Sequence, residues 1–165
     1  MLPWIVGALG LAAAARAALT HPASPLGGPV RRVPSGVALT FDDGPDPRWT
    51  PRILDALDAV GARASFFVIG EQVTRHPEIV RDCAARGHRV EVHGWRHRRA
   101  TLQAPAQLAR ELTRMVETLS QLTGRRPRWY RPPYGARPLG TRSFRDRELS
   151  LVTWSWWCQI GRAHV

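Results

Sequence analysis

The sequence contains no lysine and no asparagine, yet it carries a large excess of positive charge. All 24 basic residues are arginine. They outnumber the 13 acidic residues and give a formal net charge of +11. A charge of this size ordinarily suggests a nucleic-acid partner. Here the arginines are scattered without a nucleic-acid-binding motif, and a GC-rich coding bias alone replaces lysine by arginine. We therefore expect no nucleic-acid partner, whereas attraction to an anionic cell envelope is compatible with the charge.

Cysteine is also scarce, with Cys83 and Cys158 as its two occurrences. Their spacing excludes a disulfide framework and a cysteine metal pair. Cys83 lies in a helical pattern and is expected to be a small buried apolar residue. The length of 165 residues, with 44% hydrophobic content, predicts one globular domain. We expect it to be a monomer.

Long hydrophobic runs are absent except at residues 1–20. The apolar stretch before Arg16 has the length of a signal-peptide core, and continued to Leu19 it could just cross a bilayer. Both interpretations, a signal peptide or a membrane anchor, export the protein. The alternative is a buried apolar N-terminal helix, since no positive charge precedes the run. Residues 21–36, rich in proline and glycine, are predicted to be a linker.

Strand and helix patterns alternate along the rest of the chain. Strands are predicted at 37–41, 64–70, 88–92, 128–130 and 148–154, and helices at 50–60, 77–86 and 105–123. Thr50 is expected to cap the first helix, and Gly61 to end it. The longest helix has an apolar stripe that predicts core packing: Leu108, Leu112, Met115, Leu119 and Leu122. This alternation predicts an α/β fold with a largely parallel sheet, open or closed into a barrel, and a ligand site at the carboxyl ends of its strands.

Two adjacent acids follow the first predicted strand. In VALTFDDGPDP, Asp42 and Asp43 come directly after a run of strand-forming residues, and Gly44 and Pro45 turn the chain away. A buried strand with this ending delivers two carboxylates to the rim of the sheet.

Two histidines follow the third predicted strand in the segment HGWRH. His93 and His97 are four residues apart, so on a helical turn both imidazoles would share a face and could bind one divalent cation. The alternative is a surface pair among neighbouring arginines.

The segment RPPYG, Arg131 to Gly135, follows the fourth predicted strand. Its two prolines fix the backbone and would hold Arg131 and the Tyr134 main chain rigidly. The alternative is a rigid turn with Tyr134 packed on the core. If all three segments meet at one sheet edge, a carboxylate and two imidazoles leave a cation open to water, as metal-assisted hydrolysis requires, and the second carboxylate is free to act as a base.

Taken in this order, TFDDG, HGWRH and RPPYG resemble the first three motifs of the polysaccharide deacetylases, the NodB-homology group of carbohydrate esterase family 4. The resemblance runs from about Val37 to Trp154. It implies a deformed (β/α) barrel that hydrolyses N-acetyl groups on amino-sugar polysaccharides such as peptidoglycan or chitin-like glycans.

The resemblance also implies roles for individual residues. Asp42 would be the general base, and the ligands of one divalent ion would be Asp43, His93 and His97. This donor set favours zinc and also suits cobalt, nickel or manganese.

Three further roles follow from the same resemblance. Arg131 would orient Asp42 and favour its ionised form, and the Tyr134 main-chain N–H would stabilise the oxyanion. Trp154 matches the tryptophan of the family's late strand, which we expect to contact substrate.

The sequence also departs from the family pattern. Glu91 and Val92 stand where many members carry glycine and asparagine, and neither the later Asp-Trp pair nor the Leu-x-His motif that supplies the catalytic acid is found. A catalytically inactive glycan-binding module of the same fold is therefore the alternative function. Retention of Asp42 argues against it, because a pure binding protein needs no base.

The last six residues, Ile160 to Val165, read IGRAHV. A widely used sequencing-library adapter translates to this hexapeptide, so we predict that 160–165 is an artefact and that His164 is neither ligand nor acid. The domain, at 37–159, would then be incomplete at its C-terminus, and the fragment inactive.

Overall fold

The computed structural model of the protein describes residues 34–136 and 148–155. The predicted export segment, most of the linker, Cys158 and the predicted artefact lie outside these residues. Within them, the sheet has five parallel strands: β1 (Leu39–Gly44), β2 (Ala64–Val68), β3 (Arg89–Val92), β4 (Trp129–Tyr130) and β5 (Ser150–Leu151). The strands lie side by side in sequence order, which is the order of a (β/α) barrel.

Four α-helices cover the described sheet: α1 (Thr50–Ala59), α2 (Gly70–Arg75), α3 (Pro77–Ala85) and α4 (Pro105–Thr123). Two short 3₁₀ turns lie at Ala100–Leu102 and Pro133–Gly135. In residues 34–136 and 148–155, no helix has the length and apolar character needed to cross a membrane.

The apolar core lies between the sheet and the helices. From the strands it receives Phe66, Val68 and Val92, and α4 contributes the predicted stripe. Helix α4 begins and ends at the predicted residues, and Gly124 terminates it with a φ of +66°. Cys83 is buried as expected, and burial raises the pKa of its thiol to about 12.

The predicted start of α1 is wrong in its detail. Thr50 is the first helical residue, and Trp49 occupies the cap position without a side-chain hydrogen bond. Instead, the Asp46 carboxylate accepts hydrogen bonds from the main-chain N–H groups of Arg48 and Trp49. An aspartate that accepts from the amides two and three residues after it stabilises the turn that leads into the helix.

Three of the predicted strands differ from the structure by two or more residues. Strand β1 runs from Leu39 to Gly44 instead of 37–41, so Asp42 and Asp43 lie within its last residues, and β5 covers only Ser150–Leu151 of the predicted 148–154. Strand β2 ends at Val68, because the following residues turn into α2, a short helix that the sequence patterns did not predict. Strand β1 was expected to be buried but is only half-buried, since within the described residues it has a neighbour on one side only.

Gly70, at the start of α2, lies in unusually close contact with the core. A Cβ atom at this position would come within 2.5 Å of a ring carbon of Trp95 and 2.7 Å of the sulfur of Met115. Atoms do not approach this closely, so only glycine allows α2 to pack against Trp95.

The Gly70→Ala variant is expected to lose about 1–3 kcal/mol of unfolding free energy through overpacking. The control is Gly124→Ala, where a Cβ meets nothing within 4 Å and only the left-handed backbone is strained, at a cost of about 1–2 kcal/mol. Chemical denaturation measures both. Displacement of Trp95 should change the near-UV circular dichroism of Gly70→Ala alone, and an unchanged spectrum would contradict the packing argument.

Candidate metal centre

The end of strand β1 contains a bulge that presents both acids to the same site. The parallel register with β2 pairs Asp42 with Phe67 and Gly44 with Val68, so Asp43 is an extra residue. Its φ of +70° is in the left-handed region, which aspartate tolerates better than most residues. Adjacent side chains of a regular strand point to opposite faces, and the bulge removes this constraint.

Asp43 meets the two predicted histidines. Its Oδ1 lies 3.2 Å from Nε2 of His93 and 3.1 Å from Nε2 of His97. The three side chains offer ligand atoms that all lie within 4.8 Å of one another. In a tetrahedral zinc site with bonds of about 2.1 Å, ligand atoms are about 3.4 Å apart. The cluster therefore has the dimensions of a metal site.

The hydrogen bond on the other side of His93 fixes which nitrogen faces the cluster. Nδ1 of His93 lies 2.7 Å from the main-chain carbonyl oxygen of Arg131, which can only accept, so Nδ1 carries the proton. In the neutral ring, Nε2 then has a free lone pair directed at the Asp43 carboxylate. A cation must lie between two such acceptors: either a second proton on His93, which then donates from Nε2 to Asp43, or a divalent metal ion in its place.

The ionisation of the cluster agrees with metal binding. The hydrogen bond with His93, followed by the charges of His93 and His97, lowers the pKa of Asp43 against the opposing effect of burial. Burial lowers the pKa of His97, with Asp43 acting in the opposite direction. An ionised carboxylate and a neutral imidazole are the forms that coordinate metals.

Asp42 is held separately from the metal cluster. Its Oδ1 accepts a hydrogen bond of 2.6 Å from Nη1 of Arg131, and the same Nη1 lies 2.9 Å from the hydroxyl of Thr40. Nε1 of Trp154 donates to Oδ2 of Asp42 at 3.1 Å. Arg131 is 2% exposed and the Asp42 side chain 18% exposed, so water screens this charge-assisted pair only weakly and the pair fixes the carboxylate firmly.

The turn after β4 exposes Tyr134 beside the cluster. Tyr134 is 57% exposed, so the alternative that it packs on the core is wrong. Its φ of +60° is left-handed, and the turn's own hydrogen bonds start from the two residues that follow it. The N–H of Tyr134 is therefore not used within the turn. The Tyr134 ring lies between the ring of His97, at 4.5 Å, and the guanidinium of Arg99, at 4.6 Å.

The loop that carries the histidines is not the helical turn that the spacing predicted. Gly94 has a φ of +103°, which no helix accommodates. The carbonyls of Gly94 and Trp95 accept hydrogen bonds from the N–H groups of Gly70 and Glu71, at 3.0 and 3.1 Å. The loop is thus attached to the N-terminal end of α2, and the histidines converge because of this attachment.

Side-chain contacts strengthen the same attachment. Nε of Arg96 donates to Oε1 of Glu71 at 2.7 Å, and the guanidinium of Arg114 lies 3.5 Å from the centre of the Trp95 ring. His93 is buried, so the alternative of a surface histidine pair is wrong for this residue.

The structure therefore brings together the residues that the sequence singled out. The predicted ligands form one cluster, and Asp42, Arg131, Tyr134 and Trp154 lie around it. Their chemical roles remain predictions. The sequence did not point to Thr40 or Glu71, whose types and spacing are ordinary.

Comparison with known proteins gives a consistent result. A sequence profile described as polysaccharide deacetylase matches residues 31–147, more than half of the chain. Peptidoglycan-N-acetylglucosamine deacetylase PgdA of Listeria monocytogenes serotype 1/2a (strain 10403S) is 34% identical over 119 residues, which are 72% of this chain and 25% of PgdA.

Solved structures resemble the chain at a similar level. Peptidoglycan deacetylase PdaC from Bacillus subtilis superposes with a TM-score of 0.65 at 32% identity, covering 71% of this chain and 57% of the PdaC chain. A family 4 acetyl xylan esterase from Clostridium thermocellum, in complex with a cobalt ion, gives a TM-score of 0.64 at 31% identity, with 70% and 56% coverage. The chain spans between a quarter and somewhat more than half of the length of these proteins.

Proposed function

We propose that this chain, which belongs to the polysaccharide deacetylase family, takes part in the hydrolysis of N-acetyl groups on an amino-sugar polysaccharide. The substrate is peptidoglycan or a chitin-like glycan. One observation carries the proposal. Asp43, His93 and His97 form a three-ligand cluster, and a second carboxylate, Asp42, lies beside it but outside it. Such a division of two acids suits a metal-dependent hydrolase.

The metal in this proposal is zinc, which two imidazoles and one carboxylate favour. When bound, the ion supplies Lewis-acid polarisation of the acetyl carbonyl and of a water molecule. Because the donor set also suits cobalt, nickel and manganese, metal content has to be measured and not assumed.

The chain's own residues supply the rest of the chemistry. Asp42 accepts the proton of the attacking water, and Arg131 and Trp154 hold the two oxygens of Asp42 in a fixed orientation. The Tyr134 N–H, which the turn leaves unused, donates to the oxygen that becomes negative during attack. The exposed Tyr134 ring offers a flat apolar surface beside the same position.

We also propose that the protein acts outside the cytoplasm. The support is the hydrophobic segment at residues 1–20 and the peptidoglycan substrates that the names of PgdA and PdaC carry.

Acetate release tests the function. Full-length protein, the product of the complete natural gene, is incubated with N-acetylglucosamine oligomers, peptidoglycan and acetylated xylan. We expect acetate from an amino-sugar substrate, loss of activity with a chelator, and recovery on adding zinc. Release from xylan alone would replace N-deacetylation by ester hydrolysis. Binding of glycan without acetate release from any substrate would favour the inactive binding module.

A further inference from the structure

Glu91 is a buried acid on the central strand of the sheet, and it belongs neither to the metal cluster nor to the residues that contact Asp42. It lies on β3 with 2% of its surface exposed. Its Oε2 accepts hydrogen bonds from the main-chain N–H groups of Arg128, at 2.8 Å, and Trp129, at 2.9 Å. A buried carboxylate is costly unless partners compensate its lost hydration. Here the two main-chain bonds do so at Oε2, and Nη1 of Arg89 lies 3.5 Å from Oε1.

These bonds are a large part of the connection between β3 and β4. Strand β4 has two residues, and the register with β3 consists of one pair, Val92 with Tyr130. Beyond that pair, the N–H of Arg131 donates to the carbonyl of Val92 at 2.9 Å. The Glu91 side chain thus accepts hydrogen bonds from the N–H groups where β4 begins. In a longer strand pairing, main-chain carbonyls of β3 would accept them.

The residue that follows β4 contacts both halves of the proposed site. The carbonyl of Arg131 accepts the hydrogen bond from Nδ1 of His93, and its guanidinium donates to Asp42. Because Arg131 contacts both residues, a shift of β4 along β3 would change the orientation of His93 and displace Asp42 at the same time.

We propose that Glu91 is a positioning residue, which fixes β4 against β3 so that Arg131 can orient His93 for metal binding and hold Asp42. The inference rests on the proposed function for the identity of the site.

Two substitutions separate this role from simple loss of a buried residue. Glu91→Gln keeps an oxygen that can accept both main-chain bonds, whereas Glu91→Leu removes the acceptors at a similar volume. In the full-length protein, we expect Glu91→Leu to weaken zinc binding about tenfold or more, the low end of the effect of residues that support metal ligands. Glu91→Gln should bind zinc close to the wild-type level.

Two measurements read out the site without relying on turnover. A competition titration with a chromophoric chelator gives zinc affinity, and the visible spectrum of the cobalt-substituted protein reports ligand geometry. The cobalt spectrum should change in Glu91→Leu and not in Glu91→Gln. In an active protein, Glu91→Leu should also lower kcat more than it raises KM, because the displaced groups act on the reacting atoms and not on distant sugars.

A destabilised control shows whether the effect is specific. Leu57→Ala, a buried position on α1, should lower the melting temperature while leaving zinc affinity and the cobalt spectrum unchanged. The proposal is overturned if Glu91→Leu binds zinc with wild-type affinity. It is also overturned if either Leu57→Ala or Glu91→Gln loses as much zinc affinity as Glu91→Leu. Failure of the wild-type protein to release acetate, with these zinc results intact, would refute the proposed function and not this inference.

Discussion

The His93→Ala, His97→Ala double variant is expected to bind no stoichiometric divalent ion, whereas the wild-type protein binds one. The two imidazoles supply two of the three ligand atoms of the cluster. The third ligand is Asp43, whose side chain is 63% exposed. A single exposed carboxylate binds divalent ions only weakly in water. Metal content after gel filtration, measured by inductively coupled plasma mass spectrometry, tests this directly.

The matched control is His76→Ala. His76 is partly exposed between α2 and α3, where its Nδ1 lies 3.5 Å from Glu78, and it contributes nothing to the cluster. It should therefore retain one ion per chain. Stoichiometric metal in the double variant would show that the ion is held elsewhere, and the assignment of the site would be wrong.

The elements that the sequence predicted well are those whose stability is local. Helix α4 has apolar residues at regular helical spacing over 19 residues and a terminating glycine, so its bounds follow from the sequence. The strands were placed correctly at their centres, because runs of β-branched and aromatic residues between glycines favour strands.

Helix α2 was missed because nothing local specifies it. It has six residues and begins with a glycine, which alone argues against a helix. Its stability comes from packing of Gly70 against Trp95 and from the bonds to the histidine loop, and both contacts connect segments more than 20 residues apart. Tertiary contacts of this kind cannot be read from residue spacing.

The candidate site, too, was predictable in its location and not in its detailed geometry. Its outline was predictable, since the carboxyl ends of successive parallel strands meet at one edge of a sheet, and three segments with chemically useful side chains follow such strands. The way in which the residues converge was not predictable. A bulge at Asp43 and a non-helical loop around Gly94 both depend on left-handed backbone that tertiary contacts support.

The Asp42→Asn variant is expected to lower kcat by about 10²–10⁴-fold, the usual contribution of a general base, while metal content stays near one ion per chain. An asparagine oxygen can still accept the hydrogen bond from Arg131, but the amide cannot take a proton from water at neutral pH. Because Arg131 then keeps its buried charge without a carboxylate, the melting temperature should also fall. Turnover and metal content must therefore be measured well below that temperature.

Substitution of Asp43 should have a different signature, and glycine is the sharper replacement. The φ of +70° at this position suits glycine, so Asp43→Gly removes the ligand without the backbone strain that alanine would add. We expect this variant to lose both turnover and bound metal, with the fold intact by circular dichroism. Asp43→Asn, which tolerates the same backbone and keeps one oxygen donor, should retain more metal than Asp43→Gly. The two acids differ in their contacts: Asp42 contacts Arg131 and Trp154, whereas Asp43 contacts the two imidazoles. If Asp42→Asn and Asp43→Gly lost equal amounts of metal, both carboxylates would bind the ion and the base would lie elsewhere.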